Sequence, residues 1–212
     1  MIHYSKQDIL DLPSLQRMHL INTCGGVKSA NLIGTISKTG ITNLAVFNSV
    51  IHLGSNPPML SFMLRPTTVE RHSYSNFTEK IDFTVNHIEV SFVSEAHQTS
   101  AKYDYDISEF KEVGLTEEFI EGFEAPFVKE SKIKMGCTFV NEYLIKEHNC
   151  RLIVGEIQHL LVEDGIQEKD GFLDLAKANS AGIIGLDGYV KTELIDRYAY
   201  ARPNQDLKPL KH

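Results

Sequence analysis

The stretch of sequence that decides the fold runs from Asn31 to His87, and its first half reads as a hairpin. NLIGTISKTGITN (31–43) and LAVFNSV (44–50) both carry side chains that alternate with the period of a strand. Lys38-Thr39-Gly40 lies between the two runs and is typical of a tight turn. We therefore predict strands over 31–37 and 41–50 that pair antiparallel.

The second half of this stretch predicts two further strands with a helix between them. SNPPMLSFML (55–64) predicts a strand at 59–64 that is apolar enough to be covered on both faces. KIDFTVNHI (80–88) alternates as another strand, and RPTTVERHSYSNF (65–77) predicts a helix over 67–77. This succession of short strands favours a sheet with local, antiparallel connections.

The rest of the chain adds strands, helices and one acidic segment. Two long strands are predicted over 133–145 and 151–162, and two helices over 14–24 and 91–101. Residues 102–130 are strongly acidic, and we expect an insertion packed outside the barrel. The fold class predicted is mainly β with helical additions, an antiparallel barrel, and residues 1–212 are expected to form a single domain. A GxGxxG motif after a strand and the P-loop motif are both absent from the sequence.

Composition restricts the function classes. The 212 residues are 42% hydrophobic and 23% charged, and the formal net charge is −7 with a pI near 5.7. This acidic balance argues against a nucleic-acid partner, and no apolar run has the length of a membrane span. The amino-terminal residues lack the features of a signal peptide, and Cys24, Cys137 and Cys150 show neither disulfide nor zinc spacing. We expect a cytoplasmic protein with no membrane association.

A candidate phosphate site lies at the start of the helix predicted over 67–77. Arg65 precedes it, Thr67 and Thr68 offer hydroxyl groups, and Glu70 has the position of a capping-box residue. Free N–H groups, the helix dipole and a guanidinium group together suit a phosphate dianion. The alternative is a well-capped surface helix whose arginine is solvated, because capping boxes are common.

Polar residues near the end of the second strand of the hairpin are candidates for contact with a ligand. Asn43 and the run Phe47-Asn48-Ser49 place amide and hydroxyl groups in an otherwise apolar segment. Buried amides need partners, which a planar heterocycle with alternating carbonyl and nitrogen groups would supply. The alternative is that they fix the following turn. His97 is a candidate catalytic residue because histidine as a residue type can change charge near neutral pH, although an exposed helical histidine is the alternative, and no histidine pattern predicts a metal site.

In order along the chain, the segments resemble the flavin reductase-like family, the FMN-binding split barrels that include flavoredoxin-type proteins. The resemblance rests on LIGTISKTGITNLAVFNSV, SNPPML, the helix from RPTT to YSNF, FTVNHI, AHQTSAKY, SEFKEVGLT, APFVKES, VGEI and GLDGYV. It implies a split β-barrel with FMN bound non-covalently, commonly as a homodimer with the cofactor near the subunit interface. It also implies that Asn43 and Phe47-Asn48-Ser49 border the flavin, and that Arg65, Thr67 and Thr68 lie near its phosphate and ribityl chain.

The resemblance further implies an NAD(P)H-dependent flavin reductase that passes electrons to free flavin, oxygen or a protein acceptor. NADH or NADPH is then the co-substrate, and His97 is a candidate neighbour of the nicotinamide or the flavin. The alternative is a non-enzymatic FMN electron carrier that a partner protein reduces, with the acidic segment as its docking surface. A clamp for the additional phosphate of NADPH would have to be assembled by folding from Arg71, Arg151 or Arg197.

Overall fold

The computed structural model describes residues 1–68 and 71–210, and within these ranges strands predominate over helices. The strands are β1 (Val27–Ser29), β2 (Asn31–Ile36), β3 (Thr42–Phe47), β4 (Ile51–Ser55), β5 (Pro58–Leu64), β6 (Asp82–His87), β7 (Glu117–Ile120), β8 (Phe123–Val128), β9 (Ile133–Ile145), β10 (Cys150–Val162), β11 (Ala181–Ile184) and β12 (Gly188–Lys191). The helices are α1 (Lys6–Asp11), α2 (Ser14–Thr23), α3 (His72–Lys80), α4 (Val93–Gln98) and α5 (Glu109–Val113).

Seven strands form the main sheet in the order β3-β2-β6-β9-β10-β5-β4, and each neighbouring pair is antiparallel. The predicted hairpin is confirmed, because β2 pairs with β3 from Asn31 opposite Phe47 to Ile36 opposite Thr42. Its turn is closed by the Ser37 N–H, which donates to the Ile41 carbonyl at 2.8 Å. Smaller sheets add β1-β11-β12 and β7-β8.

Two apolar clusters fill the interior. One is formed by side chains of β2, β5, β6 and β10 with Phe77 of α3, and in it the rings of Phe62, Phe77 and Phe83 pack edge to face or tilted. The other joins β2 and β3 to α4, α5 and β11. The strands therefore carry apolar side chains towards both clusters, as their alternation predicts.

Close backbone packing in the sheet requires glycine at two positions. A Cβ atom at Gly155 would lie 2.4 Å from Cζ of Phe83, and one at Gly34 would lie 2.3 Å from the Pro126 carbonyl oxygen. Gly155 also lies at a register shift between β10 and β9. A glycine in a strand interior commonly marks such an approach, so both residues are part of the architecture.

The acidic segment 102–130, which was predicted as an insertion packed outside the barrel, packs closely on the main sheet. Its strand β8 packs against β2 and β6, and Phe110 is 1% exposed within the second apolar cluster. Phe123 and Phe127 form a further buried cluster. Most of its acidic residues are exposed or half-buried, but Glu109 is buried with Phe110 and Phe127, so the net charge of the segment did not reveal its buried part.

Several helix boundaries also differ from the prediction. α3 begins at His72 rather than at 67, and its N-cap residue Arg71 makes no side-chain cap hydrogen bond. Thr67 and Thr68 lie in a turn, and Glu70, the predicted capping-box residue, lies outside the described residues. The helix predicted over 91–101 is a short 3₁₀ turn followed by α4. None of the described helices has the length and apolarity needed to cross a membrane.

Candidate functional site

A large cleft of about 710 Å³ opens where the end of β3, the end of β5, the start of α3 and the segment after α4 meet. This volume lies within the range of about 300–1,000 Å³ that is typical of cofactor and small-molecule sites. Its lining includes six predicted site residues, which are Asn43, Phe47, Asn48, Ser49, Arg65 and His97. Folding therefore brings together most of the side chains that the sequence singled out.

The polar residues of β3 are held by contacts with distant parts of the chain. The amide nitrogen of Asn43 donates to the Ser73 hydroxyl at 2.9 Å, and both residues are buried. The amide nitrogen of Asn48 donates to the Gly185 carbonyl at 2.7 Å, which ties the end of β3 to the loop after β11. These bonds fix the side of the cleft that β3 contributes.

Ser49 has a structural role in addition to its place in the cleft wall. Its hydroxyl donates to the Met63 carbonyl at 3.1 Å and accepts from the Met63 N–H at 3.0 Å. This pair of bonds joins the residues after β3 to β5, as the turn-fixing interpretation expects. Phe47 packs its ring edge to face on Phe62 at 5.2 Å between centroids, so it presents only part of its surface to the cleft.

Three cationic side chains line the cleft, although the whole chain is acidic. Arg65 follows β5, Arg71 precedes α3, and Lys102 lies in the segment after α4. The Nε atom of Arg71 is buried and has no hydrogen-bond partner among the described residues. A buried N–H group without an acceptor is costly in the absence of a ligand. An anionic ligand would supply the missing acceptor.

The start of α3 is anchored by a chain of hydrogen bonds that leads into the interior. The Tyr105 hydroxyl donates to the Asn76 side-chain oxygen at 3.0 Å, and the Asn76 amide donates to the Thr35 hydroxyl at 3.0 Å. The ring of His72 packs edge to face on Tyr105 at 5.0 Å between centroids. Arg71, His72 and Ser73 are therefore presented to the cleft from a well-supported helix end.

His97 also lines the cleft and lies near the end of α4. Its Nδ1 atom is 3.3 Å from the Tyr189 hydroxyl oxygen, and the two rings pack edge to face. Burial raises the pKa of Tyr189 above its ordinary value, so the phenol keeps its proton at neutral pH. This contact links α4 to β12 and orients the histidine at the cleft.

Two predicted residues do not line the cleft. Thr67 and Thr68 are exposed turn residues beyond the end of β5. The sequence interpretation considered Arg71 only for the additional phosphate of NADPH. It missed several other residues that line the cleft, which are His72, Ser73, Thr99, Ser100, Lys102, Tyr103, Glu109 and Asp187. Two signals were present in the sequence. RHS (71–73) directly follows the predicted capping residue Glu70, so a helix with a later start would have pointed to it. AHQTSAKY (96–103) was already one of the segments that carry the resemblance.

Of the three arginines considered for an additional phosphate, one reaches the cleft. Arg151 pairs with Glu142 and lies over the ring of Tyr74, and Arg197 pairs with Asp170 at 2.6 Å. Arg71 lines the cleft. No group of three or more histidine, cysteine, aspartate or glutamate side chains able to hold a metal ion occurs within 1–68 and 71–210.

Comparison with known proteins gives a consistent result. The model of the flavin reductase like domain matches residues 25–179. A flavin reductase-type protein with a split barrel domain from Shewanella frigidimarina NCIMB 400 is 42% identical, with a TM-score of 0.92 and coverage of 95% of this chain and 100% of that chain. This likeness confirms the predicted split-barrel fold.

Two more distant proteins are also similar. Component B of nitrilotriacetate monooxygenase from Bacillus cereus is 21% identical, with a TM-score of 0.80 and coverage of 92% of this chain and 96% of that chain, which shows the fold alone. An uncharacterized protein of Aquifex aeolicus (strain VF5) is 27% identical over 161 residues, 75% of this chain and 81% of that protein. The domain match covers most of the chain from β1 to Asn179, and the chain therefore belongs to the flavin reductase-like family.

Proposed function

We propose that this chain binds FMN non-covalently in the large cleft and acts as an NAD(P)H-dependent flavin reductase. Membership of the flavin reductase-like family supports a flavin-related oxidoreductase. The observation that carries the finer proposal is the cationic wall formed by Arg65, Arg71 and Lys102 in a chain with a formal charge of −7. Positive charge that is concentrated in the cleft of a negatively charged chain favours an anionic ligand in that cleft.

The residues present fit a phosphorylated flavin. The unpartnered Nε of Arg71 would find an acceptor in a phosphate oxygen, and Arg65 would add a second guanidinium group. The backbone and side chains from Ala45 to Ser49 would border the ring. Thr67 and Thr68, which the resemblance assigned near the phosphate and ribityl chain, lie outside the cleft lining, so we assign the phosphate to the arginines.

When bound, FMN supplies the chemistry of accepting a hydride equivalent and passing electrons on. The chain would contribute binding and orientation. Asn43 and Asn48 hold the β3 side of the cleft through their bonds to Ser73 and Gly185, and His97 is held by Tyr189. The cleft would have to hold a nicotinamide over the ring at reacting distance, because such positioning supplies much of the rate gain. His97 would be a neighbour of that second ligand.

Anaerobic rapid mixing of the FMN-loaded protein with NADH or NADPH tests this proposal. Bleaching of the flavin band at a rate compatible with turnover supports the reductase. A comparison of the two nucleotides gives the preferred donor. Bleaching by dithionite alone, with neither nucleotide effective, would contradict the reductase and leave a flavin-binding protein.

A non-enzymatic electron carrier is the second candidate, and one observation favours it. The cleft-lining segment that ends at Tyr103 continues directly into exposed acidic residues, among them Asp104 and Asp106. Such a rim would attract a basic redox partner by charge complementarity. The same rapid-mixing experiment separates the two, since a carrier would be reduced slowly by nucleotide and rapidly by its partner.

Assembly and location are part of the proposal. Exposed apolar side chains occur on two strands of the main sheet, at Ile51 and Leu53 of β4 and at Tyr143 and Leu144 of β9, and they favour a homodimer. Light scattering of the purified protein would give its mass in solution. Three unpaired cysteines favour a reducing compartment such as the cytoplasm.

A further inference from the structure

A carboxyl group stands in the wall of the large cleft, among its cations. Glu109 is the first residue of α5, is 5% exposed, and lines the cleft. Its Oε2 atom accepts a hydrogen bond from the Leu44 N–H at 2.9 Å. Leu44 belongs to β3, the edge strand of the main sheet, so this N–H points away from the neighbouring strand.

The bond to Leu44 requires an oxygen acceptor and does not require a negative charge. A neutral carboxylic acid, or an amide in its place, would accept from the same N–H group. The edge of β3 can therefore be satisfied in either protonation state of Glu109. Protonation is decided by the surroundings of the carboxyl group rather than by this structural bond.

Those surroundings raise the pKa of Glu109 above its ordinary value overall. Burial raises the pKa of Glu109, while the N–H groups of Leu44 and of Glu109 itself and the charge of His72 lower it. β3 carries no titratable side chain, and α5 itself adds Lys111 and Glu112, which line a smaller cleft with Glu117 of β7. The charged and titratable groups that share the large cleft with Glu109 are Arg65, Arg71, His72, His97, Lys102, Tyr103 and Asp187.

An anionic ligand in the cleft would raise the pKa of Glu109 further. In the free cleft the charge of His72 favours an ionised Glu109, whereas a phosphate bound in the same cleft would add a negative charge that disfavours it. We propose that Glu109 is a positioning residue that takes up a proton when a phosphate-bearing flavin binds in the large cleft, and that it keeps its bond to Leu44 in both states. This inference rests on the proposed function.

Proton uptake on binding has a measurable consequence. Binding that is linked to the uptake of a proton strengthens as the pH falls, by up to about tenfold per pH unit at full linkage. Glu109→Gln keeps the oxygen acceptor for Leu44 and cannot take up the proton. The affinity of the wild type for FMN should therefore rise more steeply with falling pH than that of Glu109→Gln. Glu112→Gln, an exposed residue on the same helix, is the matched control.

Isothermal titration calorimetry in two buffers of different ionisation enthalpy measures the proton count directly. With FMN, the wild type and Glu112→Gln should take up more protons than Glu109→Gln, and the difference should approach one proton. With riboflavin, which lacks the phosphate, this difference should fall towards zero. Protons that the FMN phosphate itself exchanges cancel in the comparison of variants.

Equal proton uptake by the wild type and Glu109→Gln, with FMN bound by both, would overturn this inference alone. Failure of every variant to bind FMN would overturn the proposed function and the inference with it. If Glu109→Gln does not fold, infrared difference spectra of the wild type with and without FMN give the answer. A new band of a protonated carboxyl group on binding is expected, and its absence would overturn the inference.

Discussion

Replacing Arg71 with alanine should weaken FMN binding while leaving the fold intact. The Arg71 side chain makes no cap hydrogen bond to α3, and it takes part in no ion pair among the described residues. Its Nε atom is buried without a partner. The side chain therefore contributes little polar stabilisation to the free protein, and its guanidinium group is available to a ligand.

The size of the effect follows from a charge-assisted hydrogen bond. Such a bond contributes about 1.5–3 kcal/mol, and about 1.4 kcal/mol corresponds to a tenfold change in affinity. Loss of the Arg71 side chain should therefore raise the Kd for FMN about 10- to 150-fold. The melting temperature of the free protein should change little, because alanine also removes a buried N–H that lacks an acceptor.

Quenching of flavin fluorescence at low salt measures both affinities in the same assay. FMN should lose affinity for Arg71→Ala, and riboflavin should not, because it has no phosphate to lose. Arg202→Ala changes an exposed arginine of the carboxy-terminal segment and is the matched control. Unchanged FMN affinity would refute the assignment of the phosphate to Arg71. An equal loss for FMN and riboflavin would show that Arg71 shapes the ring site instead.

Three further results are expected. Gly155→Ala should destabilise the protein by about 1–3 kcal/mol in chemical denaturation, because its Cβ would overlap the Phe83 ring, whereas Gly25→Ala, with only ordinary contacts, should change stability far less. Burial lowers the pKa of His87 to about 4, so the unfolded chain binds a proton there at higher pH. The free energy of unfolding should therefore fall by up to about 3 kcal/mol from pH 6.5 towards 4, and His87→Gln should lack this part of the fall. Thr67→Ala should change FMN affinity less than about threefold, since the residue is exposed outside the cleft.

The strands of the main sheet could be predicted where alternation extended over five or more residues. β9 was predicted with both of its observed ends, and β10 begins one residue earlier than predicted. β4 (IHLGS) and β11 (AGII) were missed, because each is short and contains a glycine. Short strands of this kind are defined by their partners in the sheet rather than by their own pattern.

The beginning of α3 illustrates the limit of local signals. Two alternative helix starts lie close together in the sequence, one at Thr67 with Glu70 and one at Arg71 with His72. Capping patterns alone do not choose between them. The observed helix places Ser73 opposite Asn43, where the two side chains form a hydrogen bond. Tertiary contacts therefore override the local preference.

The candidate site was predicted in part because one of its walls is contiguous in sequence. Asn43 and Phe47-Asn48-Ser49 belong to one strand and its end, so a polar interruption of an apolar run revealed them. Glu109 reaches the site through a bond to Leu44, 65 residues away, and His97 meets Tyr189 across 92 residues. No periodicity within a segment contains such pairings, so Glu109 and the His97–Tyr189 contact appeared only with the fold.

A crystal structure of the protein grown with FMN tests the central claim most directly. The account predicts one FMN in the large cleft of each chain, with its phosphate on Arg71 and its ring along Ala45–Ser49. FMN bound elsewhere, or a cleft closed by the protein's own side chains at saturating FMN, would contradict it.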